Sequence, residues 1–512
     1  MNPEDLDAPG PGLLPGDPHD EKLLRNVHPP GWKNPIPAHR YDLVIIGAGT
    51  AGLVAAAGAA GLGARVALIE RQLMGGDCLN SGCVPSKTLI RSATAIAAAR
   101  DTHRLGVRAP SPAETDFHAV MERVRAIRAR ISHNDSAHRF RDELGVDVFI
   151  GHGTFLDSRR IGVDGASLSF RKAVVATGTS PLVPKIEGLD RIGYRTHETL
   201  FSLPSLPQRL GVLGAGPIGC EMAQAFQRLG ARVTVIERAD QVLPREDPDV
   251  AELVETSLSA EGVDVRLGTS LFEVGERAGE KTLTLDSGGL SENLVVDEIV
   301  VATGRTPNLA GLGLEEAGIE HSPQGILVDD RLRTTNPRVF AAGDICLDTH
   351  FTHAADFSAR TVIQNALFFG RKKRSSLTIP WCTYTDPEVA RVGLGAREAE
   401  SRGIAIDTFV RHFEDVDRAI ADGEETGFVR IHTERGRDRI LGATIVGHRA
   451  SEMIGEIVLA MDAGIGLGRL ASVIHPYPTR SEAIRQCGDA YNRTRLTPRT
   501  RRLFEIVLAW LR

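Results

Sequence analysis

The chain has little cysteine and little aromatic content for its size: six cysteines, three tryptophans and five tyrosines in 512 residues. Six cysteines over this length exclude a small disulfide scaffold. Four of them stand scattered without a partner at a telling spacing, a usage that suits a reducing compartment. No apolar run reaches the roughly 18 residues that span a bilayer. The N-terminus has no basic region followed by an apolar core, so no secretory signal is expected and the cytoplasm is the default location. Charge of one sign is also missing. Sixty Lys and Arg stand against 66 Asp and Glu, a formal net charge of −6, which gives no reason to expect a nucleic-acid partner. A chain this long exceeds one core and is expected to split into several domains.

What is present begins with two cysteines separated by four residues, Cys78 and Cys83, in Gly75-Gly76-Asp77-Cys78-Leu79-Asn80-Ser81-Gly82-Cys83-Val84-Pro85-Ser86-Lys87. A pair at that spacing can close into a disulfide across roughly one helical turn. Thiolates transfer electrons by attack on sulfur, at rates set by access and pKa. The plainer reading, a structural disulfide or two buried thiols, is disfavoured by what surrounds the pair.

A nucleotide-binding pattern occurs twice. Tyr41 to Ile46 reads as a buried parallel strand. It runs into Gly47, Gly49 and Gly52, then an Ala-rich helix, then a second strand ending in Glu70. The glycines permit a tight turn and close approach of backbone to a pyrophosphate, and the acid would accept hydrogen bonds from a ribose. The pattern returns as Leu210 to Leu213, then Gly214, Gly216 and Gly219, and a strand running into Glu237, with the same offset from first glycine to acid. Each copy is followed by an A-T-G string, Ala176-Thr177-Gly178 and Ala302-Thr303-Gly304. The expected fold is α/β, with two Rossmann-like dinucleotide-binding domains around a dithiol.

The string C-x4-C-V-P-S-K between two such folds resembles the redox-active disulfide of the class I flavoprotein disulfide reductases. These include glutathione reductase, dihydrolipoyl dehydrogenase and mercuric reductase. The resemblance runs from about Tyr41 to about Asn492. It implies FAD on the first copy, held by Gly47, Gly49, Gly52, Glu70, Thr177 and Gly178. A further flavin string, Asn336-Pro337-Arg338-Val339-Phe340-Ala341-Ala342-Gly343-Asp344, adds Gly343 and places Asp344 toward the ribityl chain. It implies a nicotinamide cofactor on the second copy, at Gly214, Gly216, Gly219, Glu237 and Gly304. Glu237 favours NADH, because a carboxylate pairs with a ribose diol and repels a 2′-phosphate; the adjacent Arg238 keeps NADPH open. Cys83 would face the flavin as the charge-transfer thiolate and Cys78 would meet the substrate. Lys87 would pair with Glu221 near the flavin N5. No metal cofactor is implied. From Ile379 the chain resembles the family's C-terminal α+β interface domain, which implies a homodimer whose partner subunit completes each active site. The expected division is a flexible N-terminal extension without chemistry (1–39), a first FAD-binding part (40–189), a nicotinamide domain (190–310), a second flavin part (311–378) and the dimerisation domain (379–512).

The substrate is decided around His475-Pro476-Tyr477-Pro478-Thr479-Arg480-Ser481-Glu482. Thiol–disulfide exchange needs a group that protonates the leaving thiolate. In glutathione reductase and dihydrolipoyl dehydrogenase that group is a His directly before P-T-x-x-E, oriented by the Glu. Here Tyr477 stands at that position and Glu482 is retained. His475 lies two residues earlier, on the same side of an extended segment. A tyrosine there, and Tyr194 just ahead of the nicotinamide domain, are features of mercuric reductase, where they suit a soft metal ion held by thiolates. The match fails at the ends. No cysteine follows Cys487, where mercuric reductase carries a vicinal pair, and no N-terminal C-x-x-C domain is present.

The leading expectation is electron passage from NAD(P)H through FAD and the dithiol to a metal-ion or thiol/disulfide acceptor, in the manner of mercuric reductase. The alternative is a dihydrolipoyl-dehydrogenase-like enzyme. An alternative of another class is a redox sensor acting on a protein or membrane partner, motivated by the basic and then apolar stretch Arg493 to Arg512. That stretch is expected to pack on its own domain or a dimer partner rather than on a membrane.

Overall fold

The computed structural model describes residues 12–108 and 113–512. These fall into two compact units, residues up to 238 with 268–377, and residues 239–267 with 378–512.

The first unit is built on Tyr41–Ile46. Its apolar residues are buried on both faces, as a central parallel strand requires. Val66–Glu70 and Ala166–Val175 flank it in parallel, and Asp147–Ile150 extends the sheet beyond Val66–Glu70. Val339–Ala341 adds in parallel on Ala166–Val175. Parallel neighbours need a crossover, here the helix Thr50–Gly61. Its small residues let a second helix, Thr352–Leu367, come close: a Cβ on Gly58 would sit 2.6 Å from Ile363 Cδ1. The second glycine pattern builds the same motif, with Arg209–Leu213 between Arg232–Ile236 and Glu298–Val301, all parallel. An antiparallel meander, Thr269–Arg277, Glu280–Ser287 and Leu290–Val296, covers a core containing Leu213, Ile236, Val274, Leu283 and Val301. The α/β fold with two dinucleotide-binding sheets is as expected.

The N-terminal stretch is not a flexible extension over residues 12–39; residues 1–11 lie outside the described residues. Asp17 caps a helix, Pro18–Val27, by accepting from the His19 and Asp20 N–H groups. Leu23 and Val27, four residues apart, are fully buried. Asp17 pairs with Arg125 at 2.7 Å, and buried Asp20 pairs with Arg128. The proline and aspartate that suggested disorder are a helix start signal. The partners lie on the helix Phe117–Ile131, where Arg128 is 2% exposed.

In the second unit five antiparallel strands run in the order Pro380–Thr383, Glu388–Gly393, Ile440–Gly447, Phe428–Glu434, Ile406–His412. Ala450–Asp462 and Glu482–Thr494 close a core with Ile431, Ile445, Ile457, Ile484 and Cys487. Residues 239–267 belong to this unit, so the stretch 190–310 is divided. Buried Glu246 meets Arg391 (3.4 Å) and Asp247 meets Arg430 (3.4 Å). The last helix, Pro498–Leu511, buries none of its residues within this chain. Among the described residues no helix is long and apolar enough to cross a membrane.

Candidate active site

The two glycine turns are built alike. Gly47 holds φ +101° and Gly214 φ +99°. A Cβ on Gly52 would fall 1.8 Å from Gly47 O, and one on Gly219 would fall 1.9 Å from Gly214 O. Gly49 and Gly216 open the helices Thr50–Gly61 and Pro217–Leu229, and no side chain caps either one. Uncapped N–H groups at a helix start are an anion cradle. The two acids act on the turns themselves. Glu70 Oε2 accepts from Ala48 N and Glu237 Oε2 from Ala215 N, each at 2.7 Å. Burial raises the Glu70 pKa against these bonds. Both turns therefore fit a dinucleotide pyrophosphate.

The cysteine stretch is seated on the first turn. Gly75 N donates to Ala48 O (2.9 Å), and a Cβ on Gly76 would lie 2.6 Å from Gly49 Cα. One short turn, Gly76–Asn80, carries Cys78. Cys83 then opens the helix Cys83–Arg100. Its Sγ lies 3.2 Å from Oγ1 of Thr352, the first residue of another helix. Positive helix ends favour a thiolate. Lys87, one turn along, holds Glu221 at 2.8 Å, and that carboxylate is 6% exposed.

Both cysteines are free thiols. The hydrogen bond from Cys78 brings the Cys83 thiol down to about 6, with Thr352 and Lys87 adding to it against burial. Cys78 is driven up by the same bond and by burial. The reduced pair therefore carries one thiolate, on Cys83. Cys83 is solvent-accessible.

A network around Asp77 escaped the sequence reading. Asp77 Oδ1 meets His197 Nε2 at 3.1 Å, and Oδ2 meets Arg305 Nη2 at 2.8 Å. Ser81 Oγ donates to Oδ1 at 2.7 Å. Burial works to raise the carboxyl, but Arg305 and His197 hold it well below the usual range. Arg305 Nε also donates to Thr179 Oγ1 (2.7 Å), which donates to Asp344 Oδ2 (3.3 Å). Burial raises Asp344. Thr177 Oγ1 donates to Asn308 O (2.9 Å) and Asn308 N to Gly178 O (3.0 Å), which ties the first A-T-G string to the segment that follows the second. Gly304, at φ +135°, accepts from Leu182 N (2.9 Å), and Gly343 N donates to the buried Ser358 hydroxyl (2.9 Å). The available signal was Asp77 beside Cys78 and Arg305 directly after the second A-T-G.

In the second unit Tyr477 is 70% exposed, and its hydroxyl donates to Asp417 Oδ2 at 2.8 Å, which raises its pKa. His475 Nε2 lies 3.0 Å from Glu456 Oε1, and Nδ1 lies 3.1 Å from Val473 O. Glu482 pairs with Arg485 at 3.2 Å. Tyr194, in the first unit, packs half-buried against the Leu213 and Ile236 core. Cys220, Cys346 and Cys487 are buried, and burial pushes the last two up to about 12. Asp386, Glu424 and His448 bring three ligand atoms within 4.8 Å of one another, a grouping the sequence did not suggest.

The family profile described as pyridine nucleotide-disulphide oxidoreductase matches residues 41–366, and the dimerisation-domain profile of the same family matches 379–487. The chain belongs to the pyridine nucleotide-disulphide oxidoreductase family. This oxidoreductase is 35% identical over 447 residues to a mercuric reductase of Lysinibacillus sphaericus, covering 87% of this chain and 81% of the relative. It is 36% identical over 464 residues to dihydrolipoyl dehydrogenase 3 of Pseudomonas aeruginosa, covering 87% and 97%. Among solved structures it superposes on the HOCl-induced flavoprotein disulfide reductase RclA of Escherichia coli with a TM-score of 0.78 at 30% identity, covering 87% of this chain and 99% of that one. A Cu(II) complex of RclA matches with a TM-score of 0.77. The oxidoreductase is thus an enzyme of the flavoprotein disulfide reductase type, from a family that uses FAD and a pyridine nucleotide donor.

Proposed function

We propose that this oxidoreductase spends NADH to open a Cys78–Cys83 disulfide and passes the electron pair to a soft metal ion, in the manner of mercuric reductase. The observation that carries the metal reading is Tyr477: a phenol, hydrogen-bonded to Asp417 and raised in pKa, where disulfide reductases hold an acid–base histidine. Soft ions need thiolate ligands and no proton at the leaving group. Glu237 is the basis for NADH over NADPH.

Bound FAD would supply hydride acceptance from the nicotinamide and delivery of the pair to sulfur. The rest is the work of this chain. Two electrons break the S–S bond. Cys83 keeps its pair as a thiolate, stabilised by the Cys78 thiol, Thr352 and Lys87. Cys78 takes the proton and presents the sulfur that meets the acceptor. Cys78 gives that proton up to solvent as its sulfur binds the acceptor, and when the acceptor has taken both electrons the disulfide re-forms. Glu221 holds Lys87 in place beside the pair. The dimerisation domain supports a homodimer, and the cysteine usage supports the cytoplasm.

A second reading rests on His475. Its contact with the Glu456 carboxylate is the arrangement that orients an acid–base imidazole, and it supports a dihydrolipoyl-dehydrogenase-like reaction. Steady-state NADH oxidation by the FAD-loaded enzyme separates the two, with Hg(II) in excess thiol as one acceptor and lipoamide as the other. Turnover with Hg(II) alone is expected. Turnover with lipoamide alone, lost in His475→Gln, overturns the metal reading. Turnover with neither, below about 1 per second, points to the redox-sensor alternative.

A further inference from the structure

The helix Pro498–Leu511 has no part in the chemistry above. Thr497 caps it, accepting from Thr500 N at 3.2 Å, and Pro498 stands in its first turn. Its 14 residues make a rod about 21 Å long. At about 100° per residue the large apolar side chains from Leu503 to Leu511 fill one continuous arc of about 200°. They are exposed throughout, from 43% at Val507 to 85% at Trp510. Arg501, Arg502 and Arg512 lie on the opposite arc. From Arg493 to Arg512 the chain carries six arginines and a single acid, Glu505, while the whole protein is net −6.

We propose that this helix seats the enzyme on an anionic lipid surface. It would lie in the headgroup plane with its apolar arc immersed and its arginines among the phosphates. An apolar arc of half the circumference is what a helix immersed to its axis displays. A large apolar face opposite a basic one is the pattern of a helix lying in a membrane interface. Charge favours a lipid as the occupant: with six arginines against one acid, the segment finds its complement in lipid phosphates. The dimerisation-domain match ends at residue 487, before this helix begins. The helix is too short to cross a bilayer, so the attachment is peripheral and reversible by salt.

The test is flotation of the FAD-loaded full chain with vesicles of phosphatidylcholine alone or of phosphatidylcholine with about one third phosphatidylglycerol. Binding is expected to the anionic vesicles only, and to fall about tenfold or more when salt is raised to about 0.5 M. Trp510 emission is expected to shift to the blue on anionic vesicles. Trp510→Phe should lose that shift although Trp32 and Trp381 remain. The double variant Leu503→Glu/Val507→Glu is expected to stay in the vesicle-free fraction while keeping its flavin, its NADH oxidation and its molar mass in solution. No flotation of the parent chain with anionic vesicles overturns the proposal. So does flotation of the double variant equal to that of the parent. A fall in molar mass of the double variant also overturns it, because it would show that the apolar arc covers a second copy.

Discussion

Cys83 Sγ lies 3.2 Å from Thr352 Oγ1, and each of the two residues is the first of its helix, 269 positions apart in the chain. The thiolate of the reduced pair is thus held between two positive helix ends.

That contact predicts a pH dependence. Cys83 is an acid whose pKa is lowered to about 6, so its thiolate is present above that value and is lost as pH falls through it. Thiolate absorbance of the reduced enzyme should titrate near pH 6. Alkylation at Cys83 should slow about tenfold per pH unit below it. Thr352→Val should move the midpoint upward by removing the hydroxyl.

Cys78→Ser and Cys83→Ser should both abolish acceptor reduction, but they differ in titration. Cys83→Ser removes the low-pH thiolate outright, whereas Cys78→Ser leaves a hydroxyl that donates to Cys83 and keeps it. Cys78→Ala should raise the Cys83 midpoint further than Thr352→Val does, because the Cys78 bond is the larger cause. Ultraviolet thiolate titration of the four variants checks this order.

Lys87→Met should be worse than Glu221→Gln. It takes the Lys87 cation from the Glu221 carboxylate, which is 6% exposed, a loss of about 1–3 kcal/mol after allowing for the partly exposed lysine. It also removes a charge that favours the Cys83 thiolate. Thermal unfolding and the thiolate titration should both move for Lys87→Met. Glu221→Gln should leave the unfolding midpoint nearer the parent's.

The nicotinamide turn separates fold from binding. In Gly219→Ala the new methyl falls 1.9 Å from Gly214 O, so the domain should be destabilised by several kcal/mol. In Gly216→Ala the methyl meets nothing within 4 Å and occupies the ground a pyrophosphate needs. Its unfolding midpoint should match the parent's while KM for NADH rises roughly tenfold or more.

His432 is fully buried, with its pKa lowered to about 4 by burial and by Arg430. The unfolded chain takes up the proton near pH 6.5, before the folded one does. Stability is therefore whole above about 6.5 and falls as pH drops toward 4, by at most about 3 kcal/mol. Denaturant midpoints across that range should slope less in His432→Phe.

The features written in local order were legible in the sequence: both glycine turns with their acids, the dithiol and the pairing partners Lys87 and Glu221. Each depends on spacing along one strand or helix, or on a family string. Asp77 was not legible. Its partners His197 and Arg305 lie far along the chain, and a carboxylate beside a cysteine carries no period. The N-terminal helix was misread because its apolar content is only Leu23, Leu24 and Val27, and what secures it, Asp20 with Arg128, is a buried charge pair. Such a pair leaves no hydrophobic signature. The Pro498–Leu511 helix is a different case. Its apolar residues announced packing on its own domain or a dimer partner, and none is buried within this chain.

Gly76 rests on Gly49, and Gly75 N reaches Ala48 O. The loop that would cradle a pyrophosphate and the turn that carries the first sulfur are packed main chain against main chain. The spacing between them is then a property of backbone packing, out of reach of side-chain rotamers. Sequence change in this oxidoreductase can retune the charge around the sulfurs, or the shape of what approaches them, and leave the spacing between cofactor cradle and dithiol untouched.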